Sequence, residues 1–349
     1  MGRPLRIERA GGWYHITGRG NEKKAIFRDD RDRIHFTELL ALMVSRFRIV
    51  LHAYQLMDNH YHLIIELRER NLSRTGQWLN LSYANWFNVR HLRSGHLFQG
   101  RFKSIVVNPV EWGLELSRYV HLNPVRVRAL GLSKEEQCRT RSGMSGQPDR
   151  QLVKERLRRL RANPWGSYRA YAGLSRCPEW LTCDVILSML GSRKGDRNKN
   201  YREYVEQAVR EGLPKSPWEY LEENAVLGGK EFVAQLRQHV RGDPREQRGA
   251  ARLAQGRPEI QQIIQAVEGI KGQKWRDFRD RYGDSGRDLV LYAGQRICGM
   301  KLREMAAMAE MTDYASVSTA IRNFEKRLRH VNQEREHWNQ LCQLFNVQM

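Results

Sequence analysis

The alternation of two hydrophobic periodicities along the first 125 residues constrains the fold of this chain more than any other sequence feature. Short runs rich in β-branched and aromatic residues predict four strands, over residues 13–17, 49–57, 60–67 and 102–107. Stretches with apolar residues at helical spacing predict three helices, over residues 29–47, 72–89 and 111–123. The resulting order, β-α-β-β-α-β-α, predicts an α+β fold, a ferredoxin-like sandwich with an antiparallel sheet.

Basic residues far outnumber acidic ones, and this excess bears on the partner. Sixty Lys and Arg against 39 Asp and Glu give a formal net charge of +21, so we expect a polyanion such as nucleic acid. No apolar run approaches the roughly 18 residues that a membrane span needs, and we expect no membrane partner. Five cysteines without a CxxC pair argue against a disulfide scaffold or a zinc finger and favour a reducing cytoplasm.

Changes in composition divide the chain into four segments. Residues 1–137 hold the predicted sheet, and residues 138–190 form an extension that includes a loop rich in Ser, Gly and Arg. Residues 191–257 open with a basic stretch, show helical patterns broken by Pro and Gly, and are predicted as a helical linker region. Residues 258–349 carry only helical periodicity and predict an all-α carboxyl-terminal domain.

Within the predicted hairpin, His60-Tyr61-His62 places two imidazoles on one face of a strand. Alternate residues of a strand point the same way, with Cα atoms about 6.6 Å apart. This geometry suits two nitrogen ligands on one divalent ion, with positions left open for substrate oxygens. The alternative is a pair of ordinary polar residues on the exposed face of a hairpin, and the triplet by itself favours that interpretation.

Tyr119 and Asn123 lie four residues apart and therefore share one face of the predicted helix. A tyrosine near a metal ion can attack a phosphodiester and become a covalent phosphotyrosine, and Asn123 could supply a third, oxygen ligand. Pro124 disfavours helical geometry at Asn123, so the helix is expected to end there. The alternative, which spacing alone favours, is a tyrosine in the core and an asparagine that caps the helix. His121, on another face, is a weaker ligand candidate.

Taken together, the His-Tyr-His triplet and the downstream tyrosine motif resemble the HUH single-strand nucleases. Within that group the chain resembles the IS200-like tyrosine transposases, in particular the REP-associated branch found in bacterial chromosomes. The stretches that carry the resemblance occur in the family's order and cover about residues 1–190. They are YHITGRGN (14–21), MDNHYHL (57–63), GHLFQGRFK (95–103), YVHLNPVR (119–126) and NPWGSY (163–168).

The resemblance implies a cofactor, a mechanism and a substrate. It implies that His60 and His62 hold Mg²⁺ or Mn²⁺, with Asn123 as the third ligand where insertion-sequence relatives often carry Gln. It implies that Tyr119 attacks the scissile phosphate of single-stranded DNA, leaving a 5′-phosphotyrosine and a free 3′-OH. The implied substrate is a single-stranded hairpin, such as a repetitive extragenic palindrome.

Arg19, Arg101, Lys103 and Arg126 are the candidate DNA contacts around this site. The Gly-Arg-Gly segment around Arg19 resembles a family signature linked to target-DNA recognition, and its glycines would let a base or phosphate approach closely. An ordinary strand-ending turn is the alternative. Arg101 and Lys103 alternate on a strand and Arg126 follows the tyrosine helix, so each could contact phosphate; the alternative for any one of them is a solvated surface charge. The aromatic residues of the helix over 72–89 are expected in the core rather than stacked on bases.

Ser316, Ser318, Thr319 and Arg322 are the candidate duplex-DNA contacts of the carboxyl-terminal domain. Three helices are predicted there, over residues 288–298, 301–311 and 316–329, and the short polar break between the last two is typical of a helix-turn-helix reader. A plain helical bundle is the alternative. Residues 258–330 resemble the DNA-binding domain of the replication initiator DnaA, although that family usually has a His and a hydroxyl residue at positions 314 and 315. Duplex binding is therefore expected, but not the same target box.

The sequence thus predicts a transposase: a metal-dependent enzyme that nicks and transfers single-stranded DNA and is anchored to duplex DNA. Its expected partners are hairpin DNA and duplex DNA, and its expected location is the cytoplasm, with the nucleoid. The main alternative is a non-catalytic, sequence-specific DNA-binding regulator derived from a transposase. A structural nucleoid protein would explain the charge but not the His and Tyr motif. Monomer and homodimer are both open.

Overall fold

The computed structural model divides the chain into two compact units, Met1–Gly242 and Asp243–Met349. It describes residues 7–132, 137, 149–191, 193–212, 216–222, 225–237, 258–281, 284–311 and 313–345. Within these residues, no helix is both long and apolar enough to span a bilayer.

The first unit is built on a five-stranded sheet. Its first strands and α-helices are β1 (Trp13–Arg19), α1 (Asp30–Phe47), β2 (Ile49–Met57), β3 (His60–Leu67), α2 (Leu72–Arg90), β4 (Lys103–Val107) and α3 (Pro109–Leu122), which carries Tyr119. β1 to β4 form an antiparallel sheet in the order β2-β3-β1-β4, which confirms the ferredoxin-like arrangement.

Further elements of the first unit follow α3, the helix that carries Tyr119. They are α4 (Arg150–Ala162), α5 (Tyr168–Tyr171), α6 (Asp184–Ser188), α7 (Arg197–Glu211), a three-ten helix (Pro217–Tyr220), β5 (Val226–Leu227) and α8 (Lys230–Arg237). β5 pairs parallel to β4 at the sheet edge, so the expectation of a purely antiparallel sheet is wrong by this one strand. Part of the segment predicted as a linker region, residues 191–257, thus contributes to the first unit; the domain boundaries stay a prediction.

β1 is longer than predicted, because the Gly-Arg-Gly segment continues the strand instead of ending it. Gly18 and Arg19 pair with residues of β3. A Cβ atom on Gly18 would lie 2.5 Å from the ring of Tyr61, and one on Gly20 would lie 2.1 Å from the carbonyl oxygen of Lys24. Neighbouring protein groups therefore occupy the space beside both glycines, and this packing explains them without a base or phosphate.

Helices cover both faces of the sheet. On one face, the ring of Phe36 in α1 packs 5.0 Å from Tyr61 and 4.9 Å from Tyr83 in α2, measured between ring centroids. Tyr83 is fully buried, which confirms the core interpretation for that aromatic residue. Tyr61 and its neighbour His62 point to opposite faces of the sheet, and α3 lies on the face of His62.

The second unit is all-α in its described residues, as predicted. Its helices are α9 (Ile260–Lys271), α10 (Trp275–Phe278), α11 (Gly286–Ala293) with a π-helical continuation (Gly294–Cys298), α12 (Leu302–Met308), α13 (Tyr314–His330) and α14 (Asn332–Leu344). Leu289, Met305, Val317 and Phe324 are among the residues that form its buried core. The side chain of Asp313 caps α13 by accepting a hydrogen bond from the backbone amide of Ser316.

Candidate active site

The pairing of β1 with β3 and the position of α3 bring the predicted site residues together. Arg19 pairs with His60 and Thr17 pairs with His62, and paired residues of antiparallel strands point to the same face. Tyr119, near the end of α3, covers this face. The ring centroids of His60 and His62 are 4.9 Å apart, and those of His62 and Tyr119 are 6.0 Å apart. The geometry therefore supports a common site for the three residues.

The two histidines fit a divalent metal ion. An ion about 2.1 Å from each ring nitrogen would separate two ring centroids by about 4.5–5.2 Å at octahedral to tetrahedral angles, and the observed 4.9 Å lies in that range. His60 Nδ1 is hydrogen-bonded to Asn59 Oδ1 at 2.7 Å, which leaves Nε2 as its ligand atom. His62 Nε2 is buried and has no hydrogen-bond partner among the described residues, which is unusual for a polar atom unless a ligand takes it.

Burial keeps both rings uncharged and therefore able to donate a lone pair. Desolvation, with a smaller effect from Arg19, lowers the pKa of His60 to about 4. The pKa of His62 lies well below its ordinary value, again chiefly because of burial, with neighbouring histidines and arginines adding to the shift. Metal coordination requires the neutral imidazole, so near pH 7 neither ring has to lose a proton before it can bind.

His15 is a member of the site to which the sequence analysis gave no role. Its Nε2 atom lies 2.9 Å from His62 Nδ1, and its side chain is 3% exposed. Metal-ligating histidines usually donate their second ring N–H to an acceptor that fixes the tautomer. If His62 Nδ1 donates to His15 Nε2, His62 Nε2 keeps its lone pair for a metal. Burial lowers the pKa of His15 to about 3, so it stays neutral and can accept this bond.

Tyr119 is half-buried and surrounded by groups from three parts of the chain. His62 lies at its edge, the guanidinium carbon of Arg126 lies 4.6 Å from its ring centroid, and the indole of Trp218 lies 5.0 Å away with the ring planes at 82°. A guanidinium over an aromatic face is attracted by the ring quadrupole. Arg126, predicted as a DNA contact, is therefore placed next to the candidate nucleophile.

Asn123 lies where α3 ends, and half of its amide is occupied. Its Nδ2 atom donates to the backbone oxygens of Tyr119 at 2.9 Å and Val120 at 3.2 Å, as a helix-capping side chain does. Only Oδ1 can therefore serve a metal. In the described part of the chain, no group of three or more His, Cys, Asp or Glu side chains is arranged to hold a metal ion. An ion on the two histidines would thus depend on this amide oxygen and on substrate or water.

Comparison with known proteins assigns the region that carries this site. The model of a family described as "Transposase IS200 like" matches residues 10–123. Residues 10–123 are thus similar to the IS200-like transposases. The match covers about a third of the chain and includes His15, His60, His62, Tyr119 and Asn123. We refer to residues 10–123 as the transposase domain.

One solved structure and the curated proteins complete the comparison. The chain is similar to a structure described as "Structure of the REP associates tyrosine transposase bound to a REP hairpin". The identity is 14%, the TM-score is 0.34, and the alignment covers 53% of this chain and 93% of that one. No curated protein matches the chain.

Two basic residues predicted to contact DNA, Arg19 and Lys103, lie on the histidine face of the transposase domain. Arg19 is exposed and opposite His60, and Lys103 is exposed and opposite Thr17, the neighbour of His62 in the sheet. Both side chains therefore point to the side of the site. Arg101 is exposed but precedes β4, so strand alternation does not fix its direction.

His121 is structural, and the suggestion that it is a weaker metal ligand is wrong. It is fully buried, with Nδ1 2.7 Å from the hydroxyl of Tyr201 and Nε2 2.7 Å from Ser167 Oγ. The Tyr201 hydroxyl also lies 2.8 Å from Ser117 Oγ. Both imidazole nitrogens thus have hydrogen-bond partners. These hydrogen bonds join α3, the helix that carries Tyr119, to α7.

The candidate duplex-DNA contacts lie on one helix of the second unit. Ser316, Thr319 and Arg322 are exposed on α13, and Ser318 is half-buried. Five residues separate the end of α12 at Met308 from the start of α13 at Tyr314, a spacing that fits a helix-turn-helix reader. Whether the helices read DNA stays a prediction.

Proposed function

We propose that this chain is a metal-dependent enzyme that nicks and transfers single-stranded DNA through a covalent tyrosine intermediate. The observation that carries the proposal is the buried Nε2 atom of His62, to which no side chain or backbone group in the described part of the chain is hydrogen-bonded, beside His60 and Tyr119 on one face of the sheet. A core tyrosine and a pair of surface histidines would not require this arrangement. The match of residues 10–123 to the model of the IS200-like transposases supports the same conclusion.

In the proposed reaction, Tyr119 Oη attacks the phosphorus of the scissile phosphodiester. A bond forms between Oη and phosphorus, the bond from phosphorus to the 3′ oxygen breaks, and the phenol proton passes through solvent to the departing oxygen. The products are a 5′-phosphotyrosine and a free 3′-OH. Attack by another 3′-OH reverses the step and rejoins strands without ATP.

The residues around Tyr119 have separate parts in this reaction. His60 and His62, with Oδ1 of Asn123, would hold Mg²⁺ or Mn²⁺, which supplies Lewis-acid polarisation of the phosphate. His15 orients His62 through the hydrogen bond between their rings. Arg126 adds positive charge beside the nucleophile, and positive charge there favours the charge that develops on the phosphate.

The proposed substrate is a single-stranded DNA hairpin formed by a palindromic repeat, as the sequence motifs imply. Arg19 and Lys103 would hold its backbone beside the histidine face, and Arg101 is a further candidate. We also propose that α13 anchors the enzyme on duplex DNA through Ser316, Ser318, Thr319 and Arg322. This second contact rests on the exposed polar face of α13 behind the α12–α13 turn.

The first experiment incubates the full chain with Mn²⁺ and labelled single-stranded hairpins, followed by a denaturing protein gel. We expect a labelled band at protein mass that is absent in Tyr119→Phe and present in Tyr220→Phe, the same change at an exposed tyrosine of the first unit. Native-gel binding by Tyr119→Phe should match the wild type. Binding without any covalent band, across metals and hairpins, would instead favour the non-catalytic regulator.

A further inference from the structure

A segment from outside the transposase domain reaches the candidate active site. Residues 216–222, here called the strap, contain the three-ten helix Pro217–Tyr220 and lie more than 90 residues after the family match ends. The indole of Trp218 lies 4.7 Å from the ring of His15 and 5.0 Å from that of Tyr119, between centroids. One strap residue therefore contacts both the candidate nucleophile and the histidine that orients His62.

The strap is held in place on both sides of Trp218. At its start, the Ser216 side chain accepts a hydrogen bond from the backbone amide of Glu219, and the Glu219 carboxylate accepts one from the backbone amide of Ser216. This reciprocal capping box stabilises the first turn of the three-ten helix. After Trp218, the ring of Tyr220 packs 5.1 Å from Trp112 of α3. Glu222 then bridges to Val226 at the start of β5.

β5 fixes the far end of this connection to the transposase domain. Val226 and Leu227 are fully buried and pair with Val106 and Val107 of β4. Just beyond, the backbone amide of Gly229 donates to the Glu111 carboxylate at 2.8 Å. Trp218 is thus placed by contacts along the sheet edge and along the helix that carries Tyr119, and its position does not depend on the indole alone.

We propose that Trp218 is a positioning residue that holds the Tyr119 ring and the His15–His62 pair in reactive orientation. The inference rests on the proposed function, because it assigns Trp218 a part in the same site. A tyrosine near a helix end has rotational freedom about its side-chain bonds, and Trp218 at 5.0 Å and the Arg126 guanidinium at 4.6 Å are the groups that lie nearest to the ring beside His62 and restrict it here. Misplacing a reacting group by about 1 Å can cost on the order of 100-fold in rate.

A purely structural role for Trp218 would predict a different pattern. The strap has its own anchors at Tyr220 and β5, so loss of the indole should leave the fold intact. Trp218 itself is only half-buried, whereas the residues of the first unit that hold the core together are fully buried. Among the described residues, the aromatic rings that pack against Trp218 are those of His15 and Tyr119, both at the site.

The test compares three variants of the full chain: Trp218→Ala, Trp218→Phe and Trp180→Ala. Trp180 is also half-buried in the first unit but packs near Tyr54 on β2, so it is a matched control. We expect Trp218→Ala to slow single-turnover adduct formation at saturating DNA by about 10- to 100-fold. Its affinity for DNA and its unfolding midpoint should stay near those of the control. Trp218→Phe, which keeps a ring against Tyr119, should recover most of the rate.

A second readout does not depend on catalysis. Tetranitromethane nitrates accessible tyrosines, and peptide mass spectrometry resolves the rate at Tyr119 without DNA or metal. We expect faster nitration of Tyr119 in Trp218→Ala than in the wild type or in Trp180→Ala. Unchanged nitration of Tyr119, or adduct formation by Trp218→Ala at the wild-type rate, would overturn the proposal. A wild-type protein that forms no adduct would refute the proposed function, while the nitration rates would still decide whether Trp218 restrains Tyr119.

Discussion

Tyr201→Phe tests whether the buried hydrogen bonds between α7 and α3, the helix that carries Tyr119, stabilise the first unit. Tyr201 is fully buried in α7, and its hydroxyl lies 2.7 Å from His121 Nδ1 and 2.8 Å from Ser117 Oγ. The change removes one oxygen atom and both hydrogen bonds while the aromatic ring stays. We expect a large loss of stability for so small a change.

The magnitude follows from which partners are left without a bond. Ser117 Oγ still donates to the backbone oxygen of Leu114 at 2.7 Å, so its loss is small. His121 keeps Ser167 at Nε2 but loses its partner at Nδ1. An unsatisfied buried polar group costs about 1–3 kcal/mol. Together the two losses should lower the free energy of unfolding by about 2–3 kcal/mol.

Urea unfolding followed by tryptophan fluorescence measures this effect. Seven of the nine tryptophans precede residue 243, so the signal mainly reports the first unit. With a slope of about 2–3 kcal/mol per molar urea, the midpoint should fall by about 1 M. Tyr204→Phe is the matched control on the same helix, because its half-buried hydroxyl donates to Glu115, a carboxylate that keeps Arg118 as a partner.

A urea midpoint that falls no further in Tyr201→Phe than in Tyr204→Phe would contradict this expectation. Such a result would mean that water or a shift of α7 satisfies His121, and that the network does not hold the tyrosine helix. Adduct formation in dilute urea gives a second check. We expect Tyr201→Phe to lose activity at lower urea than the control, since the nucleophile lies on the helix that the network anchors.

Three further results are expected. Burial holds the pKa of His15 and of His121 at about 3, against 6.5 in the unfolded chain. The unfolded state therefore binds more protons between these values, and metal-free protein should lose about 2 kcal/mol per histidine from pH 7 to pH 5, seen as a lower urea midpoint. Asn123→Ala should weaken Mn²⁺ binding, measured by electron paramagnetic resonance, and Asn123→Gln should restore part of it if Oδ1 is a ligand; equal loss in both variants would assign the residue to helix capping alone. Arg322→Ala should weaken duplex binding and reduce its salt dependence by about one ion, which Arg335→Ala on α14 should not do.

The strands of the sheet and the positions of His60, His62 and Tyr119 within them and within the helix could be predicted because the sequence patterns that indicate them are local. His60 and His62 share a face because alternate residues of a strand point the same way. The order of strands and helices along the chain follows from the alternation of strand-type and helix-type hydrophobic periodicity. Helical spacing placed Tyr119 and Asn123 on one face, but their proposed roles came from the resemblance to the transposases, and the structure shows that the Asn123 amide nitrogen caps the helix. For these elements, neighbours in sequence decide the structure.

His15, Trp218 and β5 could not be assigned because their partners are distant in sequence. His15 contacts a residue 47 positions away, and a single buried histidine in a strand gives no sign of its partner. Trp218 reaches Tyr119 from a segment that the sequence predicts as a linker region. β5 has two residues, which is too short for any periodicity, and it exists only because the edge of β4 accepts it.

The positions of the hydrogen-bond partners of His121 also indicate which part of the chain can fold alone. Within the transposase domain, His121 is buried, and the partners of both its ring nitrogens, Ser167 and Tyr201, lie beyond residue 123. A chain cut at residue 137 would leave two polar nitrogens without partners in an apolar setting, at about 1–3 kcal/mol each, and would remove the strap and β5 from the sheet edge. Such a fragment should therefore be markedly less stable than the first unit, even though it contains every proposed metal ligand and the nucleophile. The family match includes the proposed nucleophile, but the helix that carries it is held in place by residues that follow the match.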